Sequence, residues 1–245
     1  MQLAFDILSW SAWTPDFQTR ESWSLWQEPN QQTALSKVSP ALSEIPAMQR
    51  RRFSRLTKMM LTVAFDCQAE NSTRSIFASR HGELNRTIGL LEDVVAKQPL
   101  SPTAFSQSVH NTGSGIFGIL SANKTSSTSI AAGAQSLPQA FIEAYGQLAE
   151  QPQPVLLIFA DDPVPPVYNE FFNEVEFPIG FGLLLTIASE HPHPQSIAQV
   201  SINNSLPQTA PYSAIGLSQL IHHLATQTAL QGEMCQWHWT LTPNG

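Results

Sequence analysis

Two uninterrupted apolar segments constrain the fold of this chain more than any other feature of its sequence. Residues 154–160 read PVLLIFA and residues 177–189 read FPIGFGLLLTIAS. Both are shorter than the roughly 20 residues that a membrane-spanning helix needs, and neither alternates apolar with polar residues. Such runs are typical of strands that are buried on both faces, with helices packed above and below them. The sequence therefore predicts a layered α/β fold.

Helical patterns surround these two strands. Apolar residues at three- and four-residue spacing predict helices at 46–67, 82–95, 101–108, 135–149 and 214–231. The helix at 82–95 is expected to turn four apolar residues toward the core, namely Ile88, Leu90, Leu91 and either Val94 or Val95.

Further strands are predicted at 1–13, 75–79 and 235–241, and in the last of these Cys235, Trp237 and Trp239 would share one face. Residues 14–45 and 190–211 are predicted to be loops. Gly180 and Gly182 interrupt an otherwise bulky strand, which predicts a bulge or a close backbone contact at that place.

Composition excludes several classes of protein. The chain has 245 residues with 42% hydrophobic content and a net charge of −7, which fits one domain spanning 1–245 and argues against nucleic-acid binding. No apolar run reaches 18 residues, so no membrane span is expected, and the N-terminus lacks the basic start of a signal peptide. Cys67 and Cys235 lie in no motif, which favours a reducing, cytoplasmic location.

A segment rich in small residues carries a more specific signal. Residues 108–140 read SVHNTGSGIFGILSANKTSSTSIAAGAQSLPQA. The Ser-x-x-Asn pattern at Ser108 and Asn111, the glycine at 115, the run 127–129 and the triplet 133–135 resemble the active-site region of β-ketoacyl synthases. In that family a strand leads to a nucleophilic cysteine at the start of a long buried helix. The resemblance covers about residues 45–190.

This resemblance implies a thiolase-like α/β fold, mainly its N-terminal half, with a short C-terminal helix–strand extension. Counting back three residues from Gly133 places Ile130 at the nucleophile position, where isoleucine has no lone pair to attack a thioester. The family's histidine motifs, His-Gly-Thr and Gly-His, are also absent from the sequence. The resemblance therefore implies a non-catalytic subunit that needs no cofactor.

The resemblance further implies a chain-length factor, a subunit that heterodimerises with an active full-length β-ketoacyl-ACP synthase and shapes its acyl tunnel, here in aryl polyene biosynthesis. The expected interface residues are Asn111, Ser127, Thr128, Ser129 and Ile130. The expected tunnel-facing residues are Ala104, Phe105, Ser108 and Phe117.

An acyl carrier protein would be a transient second partner of such a subunit. The basic cluster of Arg50, Arg51, Arg52 and Arg55 could receive it, although a solvated helix face explains the same pattern more simply.

Two other functions remain open at this point. The first is a serine-dependent acyl hydrolase or transferase on the same fold, for which the run 125–129 supplies hydroxyl groups. The second is a homodimeric scaffold. A metal site is not expected, because His191, His193, His222 and His223 have no cysteine or carboxylate at a ligand spacing.

Overall fold

The strands of the chain form one continuous mixed sheet. The computed structural model describes residues 1–27, 36–171, 177–204 and 213–244. Within these ranges the strands are β1 (Gln2–Trp13), β2 (Arg74–Ala78), β3 (Ser127–Ile130), β4 (Val155–Asp161), β5 (Ile179–Ile187), β6 (Ala198–Asn203), β7 (Leu230–Met234) and β8 (Trp237–Pro243). Their order in the sheet is β3-β2-β4-β5-β1-β6-β8-β7. Strand β2 is parallel to β3 and β4, and every other pairing is antiparallel.

Helices cover both faces of the sheet, as the apolar strands predict. They are α1 (Arg20–Trp23), α2 (Ala47–Arg50), α3 (Arg55–Asp66), α4 (Leu84–Val95), α5 (Pro102–Ser106), α6 (Thr112–Leu120), α7 (Ser136–Glu150) and α8 (Leu217–Thr226), with 3₁₀ turns at Gly133–Gln135 and Pro166–Phe171. Helices α7 and α8 share one apolar cluster with the sheet. Helices α3 and α6 form a second cluster on the opposite face.

The glycines of β5 let α3 lie directly on the sheet. A Cβ atom built at Gly182 would stand 2.9 Å from the carbonyl oxygen of Val63 and 3.0 Å from the sulfur of Cys67. At Gly180 the nearest atom would be 3.3 Å away, on the Val63 side chain. The expected close backbone contact is therefore present.

The predicted helix at 46–67 is wrong in one respect, because it is two helices. Helix α2 ends at Arg50, and α3 begins after Ser54, whose hydroxyl accepts a hydrogen bond from the backbone N–H of Thr57 at 3.0 Å. A serine that caps a helix in this way favours a new start over continuation of the preceding turn.

The C-terminal region also differs from its prediction. The supposed connection at 190–211 contains β6, whose buried residues alternate with half-buried ones. Helix α8 ends at Thr226 rather than 231, and β7 follows it. Cys235 and Gln236 have φ of 54° and 63°, so they form the turn between β7 and β8 instead of beginning a strand.

The extension itself packs onto the rest of the chain. Strands β6, β8 and β7 continue the sheet beyond β1, and the ring of Trp239 lies edge-on against Phe141 of α7 with centroids 5.2 Å apart. The C-terminal segment thus covers apolar surface of α7 that would otherwise face solvent.

Helix α4 does not bury the residues that its pattern predicts. Only Leu90 is buried, whereas Leu91, Val94 and Val95 are exposed. The helix is amphipathic, but the described part of the chain does not cover its apolar side.

Candidate functional site

A cavity of about 340 Å³ lies where β2 and β4 end and α7 begins. Its walls are mainly apolar, and Arg80 and Asp161 add an ion pair. The lining residues are Arg80, Ala134, Leu137, Phe159, Asp161, Phe177, Ile179, Leu217, Met234 and Cys235. Three of them, Leu217, Met234 and Cys235, come from the C-terminal extension. Sequence reasoning missed this wall, since nothing in the local pattern connects those residues with α7.

Several hydrogen bonds fix the ion pair of Arg80 and Asp161 in the cavity. The Nε of Arg80 donates to Oδ2 of Asp161 at 2.8 Å, and the Arg80 backbone N–H donates to Oδ1 at 2.7 Å. The hydroxyl of Ser79 donates to the same Oδ1 at 2.9 Å. Burial raises the pKa of Asp161 above its ordinary value, against the lowering effect of Arg80. The site thus carries a desolvated carboxyl whose hydrogen bonds come from Ser79 and Arg80.

The structure places the position expected for a nucleophile at the end of a strand. Ile130 is the last residue of β3, pairs with Ala78, and accepts a hydrogen bond from Ser79 N at 3.1 Å. It precedes α7 by six residues and does not line the cavity. The residue that lies in the turn before α7 and lines the cavity is Ala134. Ile130 therefore ends the strand that leads toward the buried helix, and its assignment to the nucleophile position stays a prediction.

The start of α7 is fixed by local hydrogen bonds. Gly133 has a φ of 55°, which a glycine adopts without steric cost. The hydroxyl of Ser136 accepts from the backbone N–H of Ala132 at 2.9 Å and donates to the carbonyl of Gly133 at 2.8 Å. Gln135 reaches the β7–β8 turn, where its Nε2 donates to the carbonyl oxygen of Cys235 at 2.7 Å.

A second buried polar cluster lies beside the cavity and includes Arg55, one of the four arginines of the basic cluster. The Nη2 of Arg55 stands 2.6 Å from Oδ1 of Asp162, whose pKa is raised by burial. Arg55 also bonds the Ser36 carbonyl. Arg50 donates to the Ala41 carbonyl at 3.3 Å. Two of the four arginines predicted to receive a carrier protein are thus engaged inside the chain.

Arg51 and Arg52, the other two, are exposed. Carrier docking stays a prediction for this pair.

The edge strand β3 brings most of the predicted interface residues together. Ser127 and Ser129 face α6, where the hydroxyls of Ser129 and Ser114 are 3.2 Å apart. Thr128 faces α7, and its hydroxyl donates to Oε1 of Glu143 at 3.2 Å. Asn111 is exposed at the start of α6. Among the described strands β3 pairs only with β2, so its other edge is open.

The residues expected to face a tunnel differ in their exposure to solvent. Phe105 is exposed on α5, and Ala104 and Ser108 are half-buried. Phe117 is buried in its own chain, with its ring centroid 5.6 Å from that of Phe77 and 5.5 Å from that of Phe65. A side chain in that position supports the α3–α6 packing and does not lie on the surface.

Other chemistries find little support in the described geometry. Ser79, which bonds Asp161, contacts His110 through its carbonyl oxygen (3.0 Å) and not through its hydroxyl. Within residues 1–27, 36–171, 177–204 and 213–244, no group of three or more histidine, cysteine or acidic side chains is arranged to hold a metal ion. No helix in these ranges is long and apolar enough to cross a membrane.

The sheet order, the helices on its two faces and the cavity at the start of α7 define an α/β protein of the thiolase-like ketosynthase class. The family model for the β-ketoacyl synthase N-terminal domain matches residues 23–240. The chain therefore belongs to the β-ketoacyl synthase family. No curated protein gives a significant match to the sequence.

Solved structures agree with this fold. A chain of the complex between the ketosynthase ApeO and its chain length factor ApeC from Xenorhabdus doucetiae is 21% identical, with a TM-score of 0.78, and the match covers 98% of this chain and 99% of that one. A chain of the ishigamide ketosynthase/chain length factor is 15% identical, with a TM-score of 0.65 and coverage of 91% and 80%. A type II polyketide ketosynthase complex with its acyl-carrier protein, AntDE:AntF, is 12% identical, with a TM-score of 0.57 and coverage of 76% and 64%.

Proposed function

We propose that this chain is a chain-length factor, a non-catalytic subunit that pairs with an active β-ketoacyl-ACP synthase and shapes its acyl tunnel. The observation that carries the proposal is the residue at the start of α7. Ala134 lines the cavity there, and alanine offers no atom that could form a thioester. No histidine lines the same cavity among the described residues, which supports a role without condensation.

The open edge of β3 supports the pairing. An exposed strand edge presents unpaired N–H and C=O groups that another strand can meet. The hydrogen bonds between β2 and β3 indicate which residues do so, because the carbonyls of Ser126 and Ile130 point toward β2. In a parallel ladder alternate residues point to the same neighbour, so Ser127 and Ser129 direct their backbone groups outward.

The likeness to ketosynthase–chain length factor complexes supports the same role, and the ApeO–ApeC match extends over nearly the whole of both chains. On this basis we assign the chain to assembly of an aryl polyene acyl chain in the cytoplasm, with the partner's tunnel ending near Ala104, Phe105 and Ser108. Arg51 and Arg52 are the candidate contacts for an acyl carrier protein.

The test is co-expression with a full-length ketosynthase from the same source, followed by size-exclusion chromatography with light scattering and by mass spectrometry of the products. A one-to-one complex that elongates the acyl chain, where the ketosynthase alone does not, is the expected result. Failure of the two chains to associate would contradict the proposal, and so would a homodimer that persists in the presence of the ketosynthase.

A pair of variants at one position sharpens the test. Ser129→Pro removes an outward N–H from β3, whereas Ser129→Ala removes the same hydroxyl and keeps the N–H. We expect the proline variant to weaken the complex and the alanine variant to leave it intact. Equal effects of the two substitutions would show that the strand edge is not the contact.

A further inference from the structure

The apolar side of α4 has no partner within the described part of the chain. Leu91 and Val95 are one helical turn apart, and Val94 lies beside them, with exposed fractions of 53%, 83% and 53%. Two consecutive valines gain nothing from helix propensity, because valine loses side-chain freedom in a helix. The fold of this chain therefore gives no reason for apolar residues at these positions.

Further exposed apolar residues follow α4 along the chain, in the connection to α6. We use the name apolar stripe for Leu91, Val94, Val95, Leu100, Phe105 and Val109. These are six of the fourteen large hydrophobic residues that the structure records as exposed, and they fall within nineteen consecutive positions. Single exposed apolar residues are ordinary, but a concentrated group marks a surface that is covered by another protein.

The stripe lies on an anchored part of the molecule. Helices α4 and α5 contact one another, and the Nε2 of His110 lies 3.0 Å from the carbonyl oxygen of Ser79. The chain then enters α6, which is joined to β3 by the Ser114–Ser129 contact. A surface held in this way needs little reordering on binding, and it is continuous along the chain with the open edge of β3.

We propose that the apolar stripe is a second contact surface for the ketosynthase subunit, which extends the interface from β3 onto the α4–α5 region. This inference rests on the function proposed above. The acidic residues Glu92 and Asp93 adjoin the stripe on α4, and Lys97 lies four residues after Asp93 in the same segment. The ketosynthase surface that meets the stripe is therefore expected to be apolar.

The experiment compares two double variants of the full chain. The stripe variant combines Leu91→Gln with Val95→Thr and makes the stripe polar. The control variant combines Leu25→Gln with Val167→Thr, which makes the same chemical changes outside the stripe, at residues that are 74% and 64% exposed. Titration calorimetry with the purified ketosynthase gives the dissociation constant of each complex. We expect the stripe variant to raise it at least tenfold and the control to change it less than twofold.

Several outcomes would overturn the inference. A wild-type complex with unchanged affinity in the stripe variant refutes the stripe but leaves the proposed function in place, whereas absence of any wild-type complex refutes both. Self-association of the wild type that is lost in the stripe variant would assign the surface to a second copy of this chain. Should the stripe variant fail to fold, hydrogen–deuterium exchange of the wild type decides, since protection of residues 84–109 by the ketosynthase supports the inference and unchanged exchange contradicts it.

Discussion

The side-chain amide of Gln135 joins the first turn of α7 to a β-turn one hundred residues further along the chain. Its Nε2 donates to the Cys235 carbonyl at 2.7 Å, and its Oε1 accepts from Nε1 of Trp237 at 3.0 Å. Both contacts hold the C-terminal hairpin over the cavity. The extension is thus fastened to the first turn of α7, beside the cavity.

Replacing Gln135 with leucine should loosen this attachment. The substitution leaves the indole N–H of the buried Trp237 without its acceptor, which costs about 1–3 kcal/mol of unfolding free energy. Urea denaturation followed by tryptophan fluorescence measures the loss. Gln139→Leu on the same helix is the control and should change stability by less than half as much, and equal losses would mean that the two hydrogen bonds contribute nothing specific.

A cysteine placed at Ala134 should be more reactive than one placed at Ile130. The former lies at a helix start, where backbone N–H groups stabilise a thiolate, while the latter lies in a strand. Both variants are made in a Cys235→Ser background, and Cys67 does not interfere because burial raises its pKa to about 12. The rate of alkylation by iodoacetamide between pH 6 and 9 is the measurement.

Faster alkylation at Ile130→Cys than at Ala134→Cys would contradict this expectation and favour the strand end as the nucleophile position. Neither variant is expected to restore condensation, because no histidine lines the cavity in the described residues.

Two glycine substitutions should have opposite effects on stability, one in the contact between α3 and β5 and one outside it. Gly182→Ala brings a methyl group within 2.9 Å of the Val63 carbonyl oxygen, so α3 must move and stability should fall by about 1–3 kcal/mol. Gly146→Ala on the exposed side of α7 meets no atom within 4 Å and should raise stability by about 0.5–1 kcal/mol. Thermal unfolding of both variants checks the signs, and a neutral Gly182→Ala would refute the close contact.

Asp161 should give the chain a distinctive dependence of stability on pH. Burial raises its folded-state pKa, so above the ordinary value of 3.8 the folded state binds more protons than the unfolded state. Stability from this group therefore falls as pH rises through the raised pKa, and it is recovered as pH decreases. The Asp161→Asn variant has no carboxyl group at this position and therefore lacks this pH dependence.

The measured quantity is the difference in unfolding free energy between wild type and Asp161→Asn from pH 5 to pH 8. We expect the wild type to lose stability relative to the variant as pH rises. A wild type that gains stability relative to the variant as pH rises would mean that the ion pair with Arg80 outweighs desolvation.

The elements with one dominant physical signal could be predicted from sequence. Strands β4 and β5 are apolar without interruption, and α7 keeps one apolar side along its whole length. Strand β6 could not be recognised, because its short alternation lies in a polar, proline-containing stretch. The β7–β8 turn was missed for a different reason, since Cys235 and Gln236 adopt positive φ without the Asn-Gly or Asp-Gly signal usual for such turns.

The site was harder to predict than the fold. The assignment of the nucleophile position to Ile130 depended on a count from Gly133, because no residue from 130 to 134 carries a nucleophilic side chain that could fix the register. The pairing of Arg80 with Asp161 joins residues 81 positions apart, so no local pattern could indicate it. The exposure of α4 is a similar case, because periodicity identifies an apolar side without saying which molecule covers it.

The two ends of the sheet are not equivalent. Beyond β7 the backbone of residues 213–215 lies alongside and bonds both the N–H and the C=O of Glu233. At the other end β3 has no such cover in the described chain. A strand from another molecule can therefore extend the sheet at the β3 end, whereas at Glu233 the outer backbone groups already have partners within the chain.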